Sequence, residues 1–132
     1  MKAVVCVILV MALAGVVQAA GQDTKPIQEV SDAFIKAVVD KDFEAYKAKV
    51  SAKLLEEFTK NAKNSKIQRW WESARAAVEK HQAKWEYKGV KTNMPKLVVL
   101  EYKRILDSGE TVTSIELIKD GEKWVVDSAG SL

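Results

Sequence analysis

Two periodicities divide the chain: apolar residues recur three and four positions apart in its first half and alternate with polar residues in its second half. Helical spacing predicts one helix over residues 26–39 and a longer one over 65–83. Two shorter helices are predicted between them, because Asp42 and Ser51 are residue types that accept hydrogen bonds from the free N–H groups at a helix start. Ser65 has the same role for the long helix. The first half of the fold is therefore predicted to be helical.

The second half predicts an antiparallel meander of four strands. The first strand begins at Trp85 and changes phase at Gly89, as a bulged strand does. Two further strands alternate over 97–106 and 111–119, and an Asp-Gly pair at 120–121 supplies the positive φ angles of a tight turn before the last strand. Neither face of the sheet is purely polar. We therefore expect the helices to cover one face, and a dimer partner or a ligand to cover part of the other.

The first nineteen residues have the pattern of a cleaved export signal. Met1-Lys2 is a short positive start, residues 3–16 are apolar or small, and Val17-Gln18-Ala19 satisfies the small-x-small rule of signal peptidase. The apolar run is shorter than the roughly 20 residues that span a bilayer, so we expect cleavage without stable membrane insertion. Residues 20–25 are then a flexible lead and 26–132 a single domain. The predicted localisation is periplasmic or secreted.

Cysteine and histidine are too scarce for metal or disulfide chemistry. Cys6 is the only cysteine and lies in the predicted signal, so the mature domain can form no disulfide. His81 is the only histidine, and the carboxylates show no recognisable ligand spacing. Neither a metal nor a cofactor is therefore predicted.

Charge is spread unevenly along the chain. Residues 47–96 hold thirteen Lys and Arg against five acidic residues, a net charge of +8, and the segments on either side each carry −3. A solvated helix face explains the lysines, and a surface that meets an anionic partner such as lipid headgroups is the alternative. The sequence contains no nucleic-acid-binding motif, so nucleic acid is not an expected partner.

A few side chains are candidates for a ligand site. His81, the only histidine, falls on the apolar stripe of the long helix, where it would be a ligand contact, a general base, a hydrogen-bonded residue at the core edge, or a residue at a fraying helix end. Of the adjacent Trp70 and Trp71, one is expected in the core and one at a rim. Arg104, which shares a strand face with Tyr102, would hold an anionic head group or form a salt bridge with Glu116. The candidate ligand-binding residues are Trp71, His81, Tyr87, Tyr102 and Arg104.

Two segments resemble the nuclear transport factor 2-like (cystatin-like roll) superfamily, in the form found in small exported bacterial proteins of unknown function. Residues 33–43, Ala-Phe-Ile-Lys-Ala-Val-Val-Asp-Lys-Asp-Phe, resemble its opening helix with a small, acidic corner and an aromatic residue. Residues 120–126, Asp-Gly-Glu-Lys-Trp-Val-Val, resemble its last strand. The resemblance implies an α+β fold with N-terminal helices packed on a curved four-stranded antiparallel β-meander, a conical pocket between them, and frequent dimers through the outer sheet face.

Enzymes of that superfamily need an Asp or His base with a Tyr or an acid opposite. No such set matches here residue by residue, so no catalytic residue is assigned. The sequence predicts a non-enzymatic exported domain that binds an apolar or amphipathic small ligand or an envelope partner. The alternatives are an isomerase or lyase that uses His81, and an interaction or homodimerisation module that uses the outer sheet face.

Overall fold

The computed structural model describes residues 22–130 and residue 132. The predicted signal peptide lies outside these residues, as do the first two residues of the predicted lead. The described part contains four α-helices followed by four strands, which confirms the predicted α+β class. None of its helices is both long enough and apolar enough to cross a bilayer.

Three of the four described α-helices begin at a side-chain cap, whereas Thr24 before the first helix makes no such hydrogen bond. Helix α1 is Lys25–Val39, α2 is Phe43–Lys47, α3 is Ala52–Lys60 and α4 is Lys66–His81, with a 3-10 turn at Ala62–Asn64. The three caps expected from the sequence are present, because each side-chain oxygen accepts the N–H three residues further on. These capping residues are Asp42, Ser51 and Ser65.

Helix α4 ends two residues before the predicted boundary. Gln82 has a left-handed backbone with φ of 52°, and the N–H of Ala83 donates to the carbonyl of Ala77 at 3.1 Å. The N–H of Gln82 also donates to the carbonyl of Val78 at 3.1 Å, which is the bond of a left-handed helix ending and turns the chain towards the sheet. Apolar spacing alone does not reveal such a cap.

The sheet is an antiparallel meander with strand order β1-β2-β3-β4. Strand β1 is Lys84–Met94, β2 is Leu97–Leu106, β3 is Gly109–Asp120 and β4 is Lys123–Ser128. The bulge predicted at Gly89 is present as a register shift in the β1–β2 pairing, and an unpredicted second shift follows before Thr92. Strand β3 begins earlier than predicted because Gly109 pairs with Leu106, which leaves a turn of only two residues.

The core lies between the helices and one face of the sheet, which we call the inner face. Alternate residues in the middle of β2 and β3 are buried in it, as the alternation predicts: Val98, Leu100, Tyr102, Thr113, Ile115 and Leu117. The parallel bridge between Val50 and Val126 ties the start of α3 to β4. The largest fully buried apolar and aromatic side chains are Tyr46, Tyr102, Phe34, Ile27, Ile67, Leu100, Ile115, Leu117, Val38, Val98 and Val126.

Candidate functional site on the inner sheet face

Three of the five candidate ligand-binding residues lie together on the inner face. Tyr87 and Tyr102 are cross-strand partners of β1 and β2, and their rings meet edge to face with 5.6 Å between centroids. Arg104 lies two residues further along β2 on the same face, opposite Trp85 of β1. We call these four residues, together with Ser31 and Asp32 of α1, the inner-face cluster.

The hydroxyl of Tyr102 joins this part of the sheet to helix α1. It donates to Asp32 Oδ1 at 2.6 Å and lies 2.5 Å from Ser31 Oγ. The Ser31 hydroxyl also donates to the backbone carbonyl of Gln28 at 3.0 Å, so its oxygen belongs to one network with Tyr102 and α1. Only 1% of Tyr102 is exposed. Burial, and then the hydrogen bond to Asp32, raise the pKa of Tyr102 well above its usual range.

We expect Tyr102→Phe to lower the free energy of unfolding by about 1–3 kcal/mol, because it removes a charge-assisted hydrogen bond and leaves the fully buried Ser31 hydroxyl without this partner. Urea denaturation measures the change. Tyr87→Phe is the matched control, since its residue is 37% exposed and the change should be within about 0.5 kcal/mol of zero. Equal losses in the two variants would contradict a stabilising role for the Tyr102 hydroxyl.

Two buried nitrogen atoms of the cluster have no hydrogen-bond acceptor among the described residues. They are Nε1 of Trp85 and Nε of Arg104, which belong to directly paired positions of β1 and β2. A buried donor without an acceptor costs about 1–3 kcal/mol, so native proteins normally satisfy it with protein, water or ligand. The pair therefore marks a place that suits an oxygen acceptor.

Arg104 also lacks a carboxylate partner in the described part of the chain. The salt bridge with Glu116 considered from the sequence is not formed. Glu116 pairs with Val99 of β2. Since the positions of Val99 and Tyr102 differ by an odd number, their side chains point to opposite faces, and Glu116 therefore lies on the outer face. The alternation of the strands thus separates the guanidinium group from that carboxylate.

Trp71 lies elsewhere, in an aromatic stack of the helical layer. Its ring centroid is 5.0 Å from that of Phe43 and 5.0 Å from that of Tyr46. The side chain is half-buried and packs against the core. The ring contacts found for Trp71 among the described residues are thus with α2 and not with the aromatic residues of the inner-face cluster. Trp70 instead lines an open cleft.

His81 is the last residue of α4, and half of its side chain is exposed. Its Nδ1 lies 3.2 Å from Oδ1 of Asp107. The backbone carbonyl of His81 accepts the N–H of Asp107 at 3.0 Å. These contacts join the end of α4 to the β2–β3 turn. The contacts found for its ring in the described chain include none with Tyr87 or Tyr102, because the ring lies at the end of α4 beside the β2–β3 turn.

Sequence reasoning did not single out Ser31, Asp32 or Trp85 as site residues. Ser31 had a detectable signal, since it is a polar residue four positions after Ile27 in the apolar stripe of α1. Asp32 follows it on the exposed side of α1, and Trp85 shows only the alternation of an ordinary strand residue. Their association with Tyr102 and Arg104 depends on how α1 docks and on the strand register.

The described residues include no group of three or more His, Cys, Asp or Glu side chains able to hold a metal ion. No protein-family model matches the chain, and no curated protein matches it. The class of protein is defined by its fold and its site. It is an α+β protein with the inner-face cluster between its first helix and the edge of an antiparallel sheet.

Proposed function

We propose that the protein binds a small amphipathic molecule whose acidic head group contacts Trp85 and Arg104. The observation that carries this proposal is the pair of buried N–H donors at directly paired strand positions, for which the described residues provide no acceptor. A carboxylate can accept from an indole N–H and a guanidinium N–H at once, and its charge complements an arginine without an acidic partner. Ligand oxygen would thus satisfy both donors.

The apolar part of such a ligand lies along β1 in this proposal. Tyr87 and Val90 follow Trp85 on the inner face and remain 37% and 41% exposed. Exposed aromatic and branched side chains beside a polar site are typical of the walls of ligand pockets. The arrangement supports a head group at Arg104 and an apolar chain at the open edge of the sheet.

We also infer that the protein is exported and is related to the nuclear transport factor 2-like superfamily. The signal pattern of the first nineteen residues supports export. The order of helices followed by a four-stranded meander supports the relationship. Both are compatible with a binding role, since one fold serves many functions and the site decides which.

Titration with decanoate, followed by calorimetry, tests the site. Arg104→Met is expected to weaken decanoate binding at least about tenfold, because a buried carboxylate loses its charged partner. Lys103→Met is the matched control, since Lys103 is the neighbouring cation on the outer face. Decanol, which lacks the charge, should bind both variants equally. An equal effect of the two substitutions, or no preference for decanoate over decanol, would overturn the proposal.

Native mass spectrometry of the protein from its own host's envelope extract addresses the identity of the ligand. A reproducible extra mass of small-molecule size that is lost in Arg104→Met supports the proposed site. A dimer mass without an adduct favours the interaction module, for which the outer face offers the exposed side chains of Met94 and Val112.

A further inference from the structure

The inner face of the sheet is covered as far as β2 and open at β1. Tyr102 and Leu100 of β2 are 1% and 0% exposed. Their paired residues on β1, Tyr87 and Val90, are 37% and 41% exposed. Trp85 precedes them on the same face. We call Trp85, Tyr87 and Val90 the open strip, a row of aromatic and branched side chains along the edge of the sheet.

The two bulges of β1 decide which side chains form this row. Strict alternation from Tyr87 would bring Lys91 to the inner face, since residues an even number of positions apart share a face. The first register shift turns Val90 inward instead, and the second turns Asn93 inward, opposite Val98. An apolar row that ends in a side-chain amide therefore takes the place of a row that contains a lysine charge.

A pair of side-chain amides closes the end of the open strip that is remote from Arg104. Gln22 donates from Nε2 to Oδ1 of Asn93 at 3.1 Å and to the carbonyl of Met94 at 2.6 Å. In return, Nδ2 of Asn93 donates to the carbonyl of Gln22 at 3.0 Å. We call these three hydrogen bonds the Gln22–Asn93 clip. Because Asn93 follows Val90 on the inner face, the clip holds the segment before α1 across the end of the strip.

The head-group end and the clip together set a length. Trp85 pairs with Arg104, and Asn93 pairs with Val98, six positions away on β2. At about 3.3 Å per residue, the two ends of the strip are about 20 Å apart, and the clip's own side chains occupy part of this distance. An extended carbon chain advances about 1.2 Å per bond, so decanoate is about 11 Å long and stearate about 21 Å. Decanoate therefore fits between the two ends and stearate does not.

We propose that the Gln22–Asn93 clip limits the length of the ligand's apolar chain, so that the protein selects medium-chain carboxylic acids. The length limit rests on the proposed function, because the chain is measured from an acidic head group at Trp85 and Arg104. Each methylene group on the open strip is stabilised in proportion to the apolar area that it removes from water. Methylene groups beyond the clip stay in water or displace its hydrogen bonds. Affinity therefore rises with chain length only as far as the clip.

Equilibrium dialysis with labelled decanoate and stearate, both kept below the concentrations at which they form micelles, tests the length limit. Stearate should bind the unchanged protein no more tightly than decanoate. Gln22→Ala should raise the affinity for stearate relative to decanoate at least about tenfold, because the longer chain can then bury its last methylene groups past Asn93. Asn93→Ala removes the other side of the clip and should shift the ratio of affinities in the same direction.

Gln68→Ala is the matched control, because it removes the same side chain at a position outside the open strip. The Nε2 group of Gln68 donates to Oε2 of Glu72 at 3.0 Å, a bond within α4. This variant should leave the ratio of the stearate and decanoate affinities unchanged.

Two results would overturn the length limit alone. One is stearate binding to the unchanged protein that exceeds decanoate binding by the margin that its extra methylene groups predict. The other is a ratio of affinities that responds equally to Gln22→Ala and Gln68→Ala. In both cases, decanoate binding that Arg104→Met weakens still supports the head-group site. Failure of decanoate to bind the unchanged protein overturns the proposed function itself, and the length limit with it.

Discussion

Truncation of Tyr46 to alanine is expected to lower the free energy of unfolding by about 3–5 kcal/mol, the range found for large aromatic residues removed from a core. Tyr46 is 0% exposed, and its ring stacks on Phe34 with 4.6 Å between centroids. The rings of Phe43 and Trp71 close the same stack. The hydroxyl donates to the carbonyl of Ile67 at 2.7 Å, which joins α2 to α4. The substitution thus opens a cavity where three helices meet.

Urea denaturation of the purified variant measures this loss. Tyr87→Ala is the matched control, because it removes the same atoms from a side chain that is 37% exposed, and it should cost about 1 kcal/mol. Tyr46→Phe keeps the ring and removes only the hydrogen bond, so about 1 kcal/mol is expected. If Tyr46→Ala costs no more than Tyr87→Ala, the aromatic stack is not the centre of the core.

The folded protein is expected to lose stability as the pH rises above about 10, the ordinary pKa of tyrosine. Burial raises the pKa of Tyr46, and burial together with the hydrogen bond to Asp32 raises that of Tyr102. Both phenols therefore stay protonated in the native state at a pH where the unfolded chain has lost these protons. The stabilisation that the two protonated phenols give the folded state is fully present below the tyrosine pKa of the unfolded chain. It is lost as the pH rises towards their pKa in the folded state.

The size of this effect follows from proton linkage. An unfolded chain with two fewer bound protons lowers the free energy of unfolding by about 2.7 kcal/mol for each pH unit well above 10. Urea denaturation at several pH values between about 9 and 11 measures the slope. Tyr46→Phe and Tyr102→Phe each remove one of the two phenols, so each variant should lose about half of the tyrosine part of this slope. The lysines contribute equally to the slopes of the unchanged protein and the two variants. Slopes that are the same in all three would contradict the assignment.

Local features of this fold were predictable because short-range chemistry decides them. Asp42 and Ser51 cap helices since their oxygens reach N–H groups three residues away. Gly89 marks a bulge, and the strand over 97–106 has the predicted bounds. Helix α4 was overextended by two residues, because a left-handed cap at Gln82 has no apolar signature.

The candidate site was only partly predictable. Tyr102 and Arg104 share a face by strict alternation, which the sequence shows. Tyr87 joins them through a register set by two bulges in β1, and only one of these was visible from a glycine. His81 fits the apolar spacing of α4, but it is the last residue of that helix and half of its side chain is exposed beside the β2–β3 turn, which spacing alone does not reveal.

By itself the sequence determined the α+β class, the order of the elements and the face on which most strand residues lie, because these depend on spacing within about ten neighbouring residues. Only the tertiary structure decided that Ser31 and Asp32 meet Tyr102 some seventy positions later, and that Arg104 forms no ion pair with an acidic residue of the described chain. Such pairs depend on helix docking and strand register, which minimise exposed apolar surface over the whole chain and leave no local pattern.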